Sequence, residues 1–279
     1  MAISNLPASP LRTSAFDYDV AIVGLGHAGL VTALACYAGG RTVVGIDVSA
    51  DRLITIGAGL ADLTAADRQR LKAALVDDRF QMTADLRALV RARSVVICVP
   101  TPIDEYFTPD TTALKEACEA VVEHAQPGQV LTLTSATYVG CTEDLLVRPL
   151  TARGMEVGTD VFVAFSTDRI DPASAAAEHE AVPKVVGGAT AACAEHAVET
   201  LHGCVATVYE VPSLAIAEMA KLLENTFRAV DIAIANEFAD ICRSMNIDIT
   251  DVIDEAPPVP PPSSSLTYSR GLGDARHPV

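Results

Sequence analysis

Tryptophan is absent from this 279-residue chain, and rings are few, with six Tyr and seven Phe. Because half of the residues are nonetheless hydrophobic, the core must be built mainly from Ala, Val, Leu and Ile. Basic residues are also scarce, 20 Lys and Arg against 36 Asp and Glu, for a formal net charge of -16. Such a chain repels a phosphate backbone, so no nucleic-acid partner is expected. The seven cysteines (36, 98, 118, 141, 193, 204 and 242) include no C-x-x-C pair, and Met1 to Phe16 lacks the charged-then-apolar order of a secretion signal. Free thiols in a reducing, cytoplasmic compartment are therefore expected. An uninterrupted apolar run is missing too. The most apolar stretch, Val20 to Gly40, is broken by glycines at 24, 26, 29, 39 and 40 and by His27. It reads as strand, turn and helix, and no membrane span is expected.

What is present alternates. Short apolar runs at Val20-Val23, Thr42-Ile46, Ser94-Val99, Gln129-Leu133 and Val161-Phe165 have the continuity of parallel strands buried on both faces. Helix-like stretches separate them at Ala28-Tyr37, Ala65-Leu75, Ala84-Arg91, Thr112-His124 and Thr142-Thr151. This order predicts an α/β fold with a doubly wound parallel sheet. A strand at Lys184-Val186, a helix at Ala191-Leu201 and an apolar run at Ala206-Tyr209 follow. Ser213 then N-caps one long helix to about Met245, a rod of roughly 50 Å. The expected organisation is a flexible tail (1-16), a dinucleotide-binding domain (17-212), a long central helix region (213-255) and a disordered Pro/Ser-rich tail (256-279), where Pro257, Pro258 and Pro260 to Pro262 forbid helix or sheet.

The first predicted strand runs into Gly24-Leu25-Gly26-His27-Ala28-Gly29 and then a helix. G-x-G-x-x-G in that setting is a Rossmann-type fingerprint. Gly24 permits the tight turn, Gly26 lets backbone approach a pyrophosphate, and Gly29 allows close helix-strand packing. The free N-H groups at the helix start, from His27 and Ala28 onward, suit phosphate oxygens. The second strand ends at Asp47, 18 residues after Gly29, where a carboxylate accepts from ribose hydroxyls and repels a 2′-phosphate. NAD is thus favoured over NADP, although Arg52 is of the type that holds that phosphate.

At this point the chain resembles the UDP-glucose/GDP-mannose dehydrogenase family. Val96-Ile-Cys-Val-Pro-Thr-Pro102 with Asp104 is similar to the family's cofactor-side strand end. Phe165-Ser-Thr-Asp-Arg-Ile-Asp-Pro172 with Pro183-Lys-Val-Val-Gly-Gly188 resembles its substrate loop. Ala217-Glu-Met-Ala-Lys-Leu-Leu-Glu-Asn-Thr-Phe-Arg-Ala229 is close to its central helix. The resemblance implies NAD as cofactor, with Val99, Pro100, Thr101 and Ser135 lining its site, and double oxidation of a sugar C6 alcohol through a cysteine thioester. It also implies Lys221 and Asn225 as oxyanion-stabilising groups, Asp168 in place of a substrate-loop glutamate, and a homodimer through residues 213 to 245. Spacing alone reads Glu218, Lys221, Glu224, Asn225, Arg228 and Asp231 as an ordinary solvated helix stripe.

Three departures from the family pattern change the expected chemistry. The nearest counterpart of the stretch bearing the family's thiol, Gly271 to Val279, places Arg276 where the cysteine should be. Ala136 stands where the family has a hydroxyl. The family's sugar-nucleotide-gripping C-terminal domain has no counterpart before Val279, so the chain is read as truncated. An NAD-dependent oxidoreductase acting on a CH-OH group of a sugar nucleotide, nucleoside or related polyol, by one hydride transfer, is expected. The alternatives are a non-catalytic NAD-binding remnant or regulatory subunit, and one half of a split enzyme.

Overall fold

The structure is a computed structural model, and it describes residues 16-102, 105-106, 108-135, 138-167, 183-202, 204-205 and 207-255. The expected tails, to residue 15 and from 256 onward, lie outside the described residues. The chain divides into two compact units, Met1–Ala220 and Lys221–Val279.

The first unit is built on eight strands: β1 (Tyr18–Val23), β2 (Val43–Ile46), β3 (Phe80–Thr83), β4 (Ala92–Ile97), β5 (Val130–Leu133), β6 (Phe162–Ser166), β7 (Lys184–Gly188) and β8 (Val208–Val211). They form one sheet in the order β3-β2-β1-β4-β5-β6-β7-β8. The chain starts in the middle, builds outward to β3, returns to β4 beside β1, and builds outward again. That reversal makes the doubly wound α/β architecture and puts a crevice at the C-terminal ends of β1 and β4. All neighbouring strands are parallel except β6 and β7.

Alternation along the strands assigns the two faces. Val20 and Ile22 of β1 with Val96 of β4 pack under Leu30 and Leu34 of α1 (His27–Ala38) and Leu71 of α3 (Ala65–Ala74). Ile56 of α2 (Ala50–Gly57) joins them. Ala21, Val23, Val95, Ile97, Leu131, Leu133, Val163 and Phe165 point the other way. There they pack with Leu114 and Val121 of α4 (Thr112–His124) and with Leu146 and Leu150. Leu150 belongs to α5 (Arg148–Ala152) and Leu146 to the π-helical turn Glu143–Val147 before it. Farther along the first face, Val130, Ala164 and Val186 bury Ala197 and Leu201 of α6 (Ala191–Leu201). Both faces are covered, which is why the strands are apolar without alternation.

Several elements differ from expectation. Phe80–Thr83 forms the edge strand β3, unexpected because Gln81 and Thr83 interrupt its apolar character. Its Gln81 side chain accepts from the Tyr18 hydroxyl at 2.6 Å. The expected helix at 84-91 is a tighter 3-10 turn, Leu86–Arg91, whose start is capped by Asp85. Helix α2 was not signalled by periodicity, and Ser49 caps it. The last strand is Val208–Val211 rather than 206-209, with Ala206 outside the described residues. The expected wholly parallel sheet is interrupted at β7, which runs against β6 with Phe165 opposite Gly187.

Helix α7 (Leu214–Ser244) begins in the first unit, and Ser213 Oγ accepts from the Ile216 N-H as an N-cap. The second unit carries the rest of α7 and α8 (Ile249–Glu255). Its large apolar side chains Leu223, Val230, Ile234, Phe238 and Ile241 are exposed, whereas Cys242 is buried. None of the seven cysteines is in a disulfide, and all are buried. Among the described residues no helix is long and apolar enough to cross a membrane.

Candidate functional site

The crevice at the strand reversal is assembled from four consecutive strand ends stitched sideways by the backbone. The Gly24 N-H donates to Ile46 O (2.8 Å), the Cys98 N-H to Val23 O (2.8 Å) and the Thr134 N-H to Ile97 O (3.1 Å). Ser135 Oγ donates to Val99 O at 2.6 Å. The turns after β1, β2, β4 and β5 therefore form one continuous rim. It carries Asp47, then Gly24 to Gly29, then Val99 with Pro100 and Thr101 following, then Ser135.

Each glycine of the fingerprint has a separate physical reason. Gly24 sits at φ +89°, and a Cβ there would lie 2.7 Å from Cys98 O. A Cβ on Gly29 would fall on the Gly24 carbonyl oxygen, so α1 can approach β1 only without a side chain at 29. Gly26 is different. Its φ is -58°, and a Cβ there would meet nothing within 4 Å. Of the three fingerprint glycines, Gly26 is the one whose missing side chain leaves space open among the described residues instead of relieving a contact.

Helix α1 starts at that space with no side-chain cap and no acidic residue in its first turn. Its leading N-H groups are thus left for an outside acceptor. His27, the first helical residue, has Nδ1 3.3 Å from Asp62 O, while its enclosed Nε2 has no partner among the described residues. Asp47 spans the turns, with Oδ2 accepting from the Leu25 N-H (2.8 Å) and Oδ1 from the Ser49 N-H (2.9 Å). A carboxylate has about four lone-pair positions, so capacity remains for ribose hydroxyls. Arg52 Nε donates to Leu25 O at 2.7 Å, which places this guanidinium against the glycine turn. An open cradle, an uncapped helix and a half-used carboxylate together fit a dinucleotide.

Residues 18–205 match the NAD binding domain of the UDP-glucose/GDP-mannose dehydrogenase family, and residues 215–274 match its central domain. The chain belongs to this family. It is 34% identical over 243 residues to a UDP-N-acetyl-D-glucosamine 6-dehydrogenase of Pseudomonas aeruginosa, covering 86% of this chain and 56% of that protein. It is 31% identical over 240 residues to a UDP-N-acetyl-D-mannosamine dehydrogenase of Pyrococcus horikoshii, covering 85% and 57%. Among solved structures, a UDP-D-ManNAc dehydrogenase from Pyrococcus horikoshii superposes with a TM-score of 0.77 at 30% identity, over 87% of this chain and 58% of that one. The chain spans little more than half the length of these relatives. It carries the family's NAD-binding domain, with NAD as the cofactor.

Of the family-implied catalytic residues, Lys221 and Asn225 belong to the second unit, four residues apart and so on one face of α7. Lys221 is half-buried and Asn225 exposed. Asp168, Asp104 and Ala136 lie outside the described residues. One residue contradicts the solvated-stripe reading of the helix. Glu218 is completely buried, and its carboxylate accepts from the Gly140 N-H (2.6 Å), the Thr142 N-H (2.8 Å) and Thr142 Oγ1 (2.7 Å). Its neighbour Ala217 is buried as well, and a Cβ on Gly187 of β7 would lie 3.0 Å from Ala217 Cβ. The small residues Gly187 and Ala217 were the available signal that this helix face closes against the sheet.

A second unpredicted pair lies beneath the rim. The Cys98 thiol and Thr134 hydroxyl are 3.1 Å apart, and Thr134 Oγ1 also donates to Ile97 O at 2.9 Å. Cys98 is therefore part of the floor that holds β4 to β5. Cys118 is buried against α4's neighbours, and that burial pushes its thiol up to about 12. Neither has the exposed, electropositive setting of a nucleophile.

Proposed function

We propose that this chain is an NAD-dependent oxidoreductase acting on the CH-OH group of a sugar nucleotide, and that its own residues support one hydride transfer. The observation that carries the reading is the open space at Gly26 in front of an uncapped α1, beside Asp47. In this assignment Gly24, Gly26, Gly29 and the first N-H groups of α1 (His27, Ala28) hold the pyrophosphate. Asp47 takes the adenosine ribose, with Arg52 against the same turn. Val99, Pro100, Thr101 and Ser135 line the nicotinamide side. NAD, when bound, supplies the acceptor for a hydride leaving the carbinol carbon.

The chain's part in that step is positioning and proton handling. Lys221 is assigned to take the proton from the alcohol oxygen and Asn225 to donate a hydrogen bond to that oxygen as charge develops. Asp168 is assigned to the substrate side by its motif. A second oxidation through a thioester requires a thiolate to add to the aldehyde carbon. In the nearest counterpart of the family's thiol-bearing stretch Arg276 stands where the cysteine would be, and the seven cysteines of this sequence are all buried. The product expected from these residues is therefore an aldehyde rather than an acid.

Titration of the purified chain with NAD and with NADP, followed by an NADH-absorbance screen of sugar nucleotides, tests this. Tight NAD binding, weak NADP binding and one NADH per substrate are expected. NAD binding without turnover on any sugar nucleotide would leave a cofactor-binding subunit and overturn the catalytic assignment. Lys221→Ala is expected to abolish turnover with NAD binding retained, and an unchanged rate would remove Lys221 from the chemistry.

The exposed apolar row Leu223, Val230, Ile234, Phe238 and Ile241 supports a homodimer through residues 213 to 245. Light scattering at micromolar concentration is expected to give twice the chain mass.

A further inference from the structure

One fully buried carboxylate, Glu218, is not among the residues assigned to cofactor or substrate. Glu218 has no exposed surface, and its carboxylate is hydrogen-bonded to Gly140 and Thr142. What it holds is a turn. Gly140 sits at φ +97°, a conformation in which its N-H is directed by backbone that a side chain would strain. Cys141 and Thr142 are fully buried beside it. The N-H groups of Gly140 and Thr142 stand at the start of the helical segment 141-152, where no intrahelical acceptor exists for them. The Glu218 carboxylate satisfies both, and accepts the Thr142 hydroxyl as well. Hydrogen bonds of this charged type are roughly twice as strong as neutral ones.

That turn follows the end of β5. Four residues, of which 136 and 137 lie outside the described residues, separate Gly140 from Ser135, which is itself fixed to the end of β4 through Val99 O. Asp47, at the end of β2, puts the adenosine half of a dinucleotide on the β1-β2 side of the crevice. The other nucleoside half then falls on the β4-β5 side. Glu218 thus fastens the Gly140-Thr142 turn, which lies on the side assigned to the nicotinamide. It fastens that loop to the first turns of α7, the helix in which Lys221 follows three residues later.

We propose that Glu218 is a positioning residue for the nicotinamide half of bound NAD, acting through the Gly140-Thr142 turn. The inference rests on the NAD-site assignment above. Because the carboxylate is buried, its effect reaches the cofactor only through the loop.

The test compares NAD with ADP-ribose, which retains every adenosine and pyrophosphate contact and lacks only the nicotinamide. Calorimetric dissociation constants are measured for the wild type, Glu218→Gln and Thr142→Val. Glu218→Gln turns one acceptor oxygen into a donor facing an N-H, and is expected to weaken NAD about tenfold while ADP-ribose stays within about twofold. Thr142→Val keeps the backbone N-H bond and loses only the hydroxyl. It is expected to shift NAD in the same direction by about threefold, and it carries the test if Glu218→Gln does not fold. Equal weakening of both ligands would make Glu218 a general fold residue and overturn the proposal. So would NAD affinity unchanged in both variants. A wild type that binds neither ligand would instead overturn the dinucleotide assignment itself.

Discussion

Two glycine-bearing strand-to-helix turns in the first unit can be set side by side. One runs from β1 through Gly24, Gly26 and Gly29 into α1, and the other from β7 through Gly187 and Gly188 into α6. In both, glycine allows close approach. A Cβ on Gly29 would collide with the Gly24 carbonyl, and one on Gly188 with the backbone of Ala194 and Thr190. The difference lies at the helix start. Thr190 Oγ1 accepts the Cys193 N-H at 3.2 Å, so α6 is closed by its own cap. Helix α1 has no such cap and faces the open space at Gly26. The same local topology is closed by its own cap in one place and left open in the other, as the proposed dinucleotide site requires. Glycine content alone does not separate the two; what the glycine leaves empty does.

That contrast breaks most readily at Gly29. Gly29→Ala forces its methyl onto a backbone carbonyl that has no side chain to rotate away, and a loss of about 3 kcal/mol is expected in denaturant unfolding. Retention of wild-type stability would mean that α1 can shift, and that the close approach is not required. Gly26→Ala should do the reverse. With φ already at -58° and no neighbour within 4 Å, its stability should stay within about 0.5 kcal/mol of wild type. Its NAD affinity should fall about tenfold or more, on the order of 1.4 kcal/mol. If NAD bound Gly26→Ala normally, the open space would not be the pyrophosphate position.

At the closed turn, Thr190→Ala should cost about 1 kcal/mol of stability through the lost cap and leave NAD affinity untouched. A drop in affinity would show that the two turns are not independent. The smallest effect is expected at a third turn closed by its own side chain, where Asp85 caps Leu86–Arg91 and pairs with Arg87. Hydrogen bonds from the Arg87 side chain and backbone hold the Asp85 carboxyl down at about 2. Because the folded value is lowered, its contribution is complete above the ordinary carboxylate range and is lost as pH falls through about 2. The melting temperatures of wild type and Asp85→Asn should differ slightly at neutral pH and converge in acid. A gap as wide at pH 2 as at neutral pH would place the stabilisation elsewhere.

The open turn was legible in the sequence because three signals coincide there: a continuous apolar run, a fixed glycine spacing, and an acid at the end of the next strand. Long α7 was legible for a similar reason, since Ser213 marks its start and apolar periodicity runs unbroken for many turns. The edge strand β3 was not. Four residues, two of them polar, make no periodic pattern, and only pairing with Val43 to Ile46 defines it. Glu218 was not legible either. Helical periodicity says which residues share a face, but it does not say which of them another segment will cover. The segment that covers Glu218 comes from Gly140 to Thr142, 76 to 78 residues away. The polar stripe of α7 is thus a solvated face only after its first turns, and its first acid belongs to the interior.

The seven buried thiols give the chain an internal set of clocks. They sit on α1, at the end of β4, on α4, at the start of the 141-152 segment, on α6, just after it, and late in α7. A buried thiol, such as Cys118 with its acidity suppressed by burial, reacts with an alkylating reagent only when its surroundings open. Labelling rates read cysteine by cysteine would therefore report the opening free energy of each layer separately, without a single substitution. Cys242 would do so for the second unit alone.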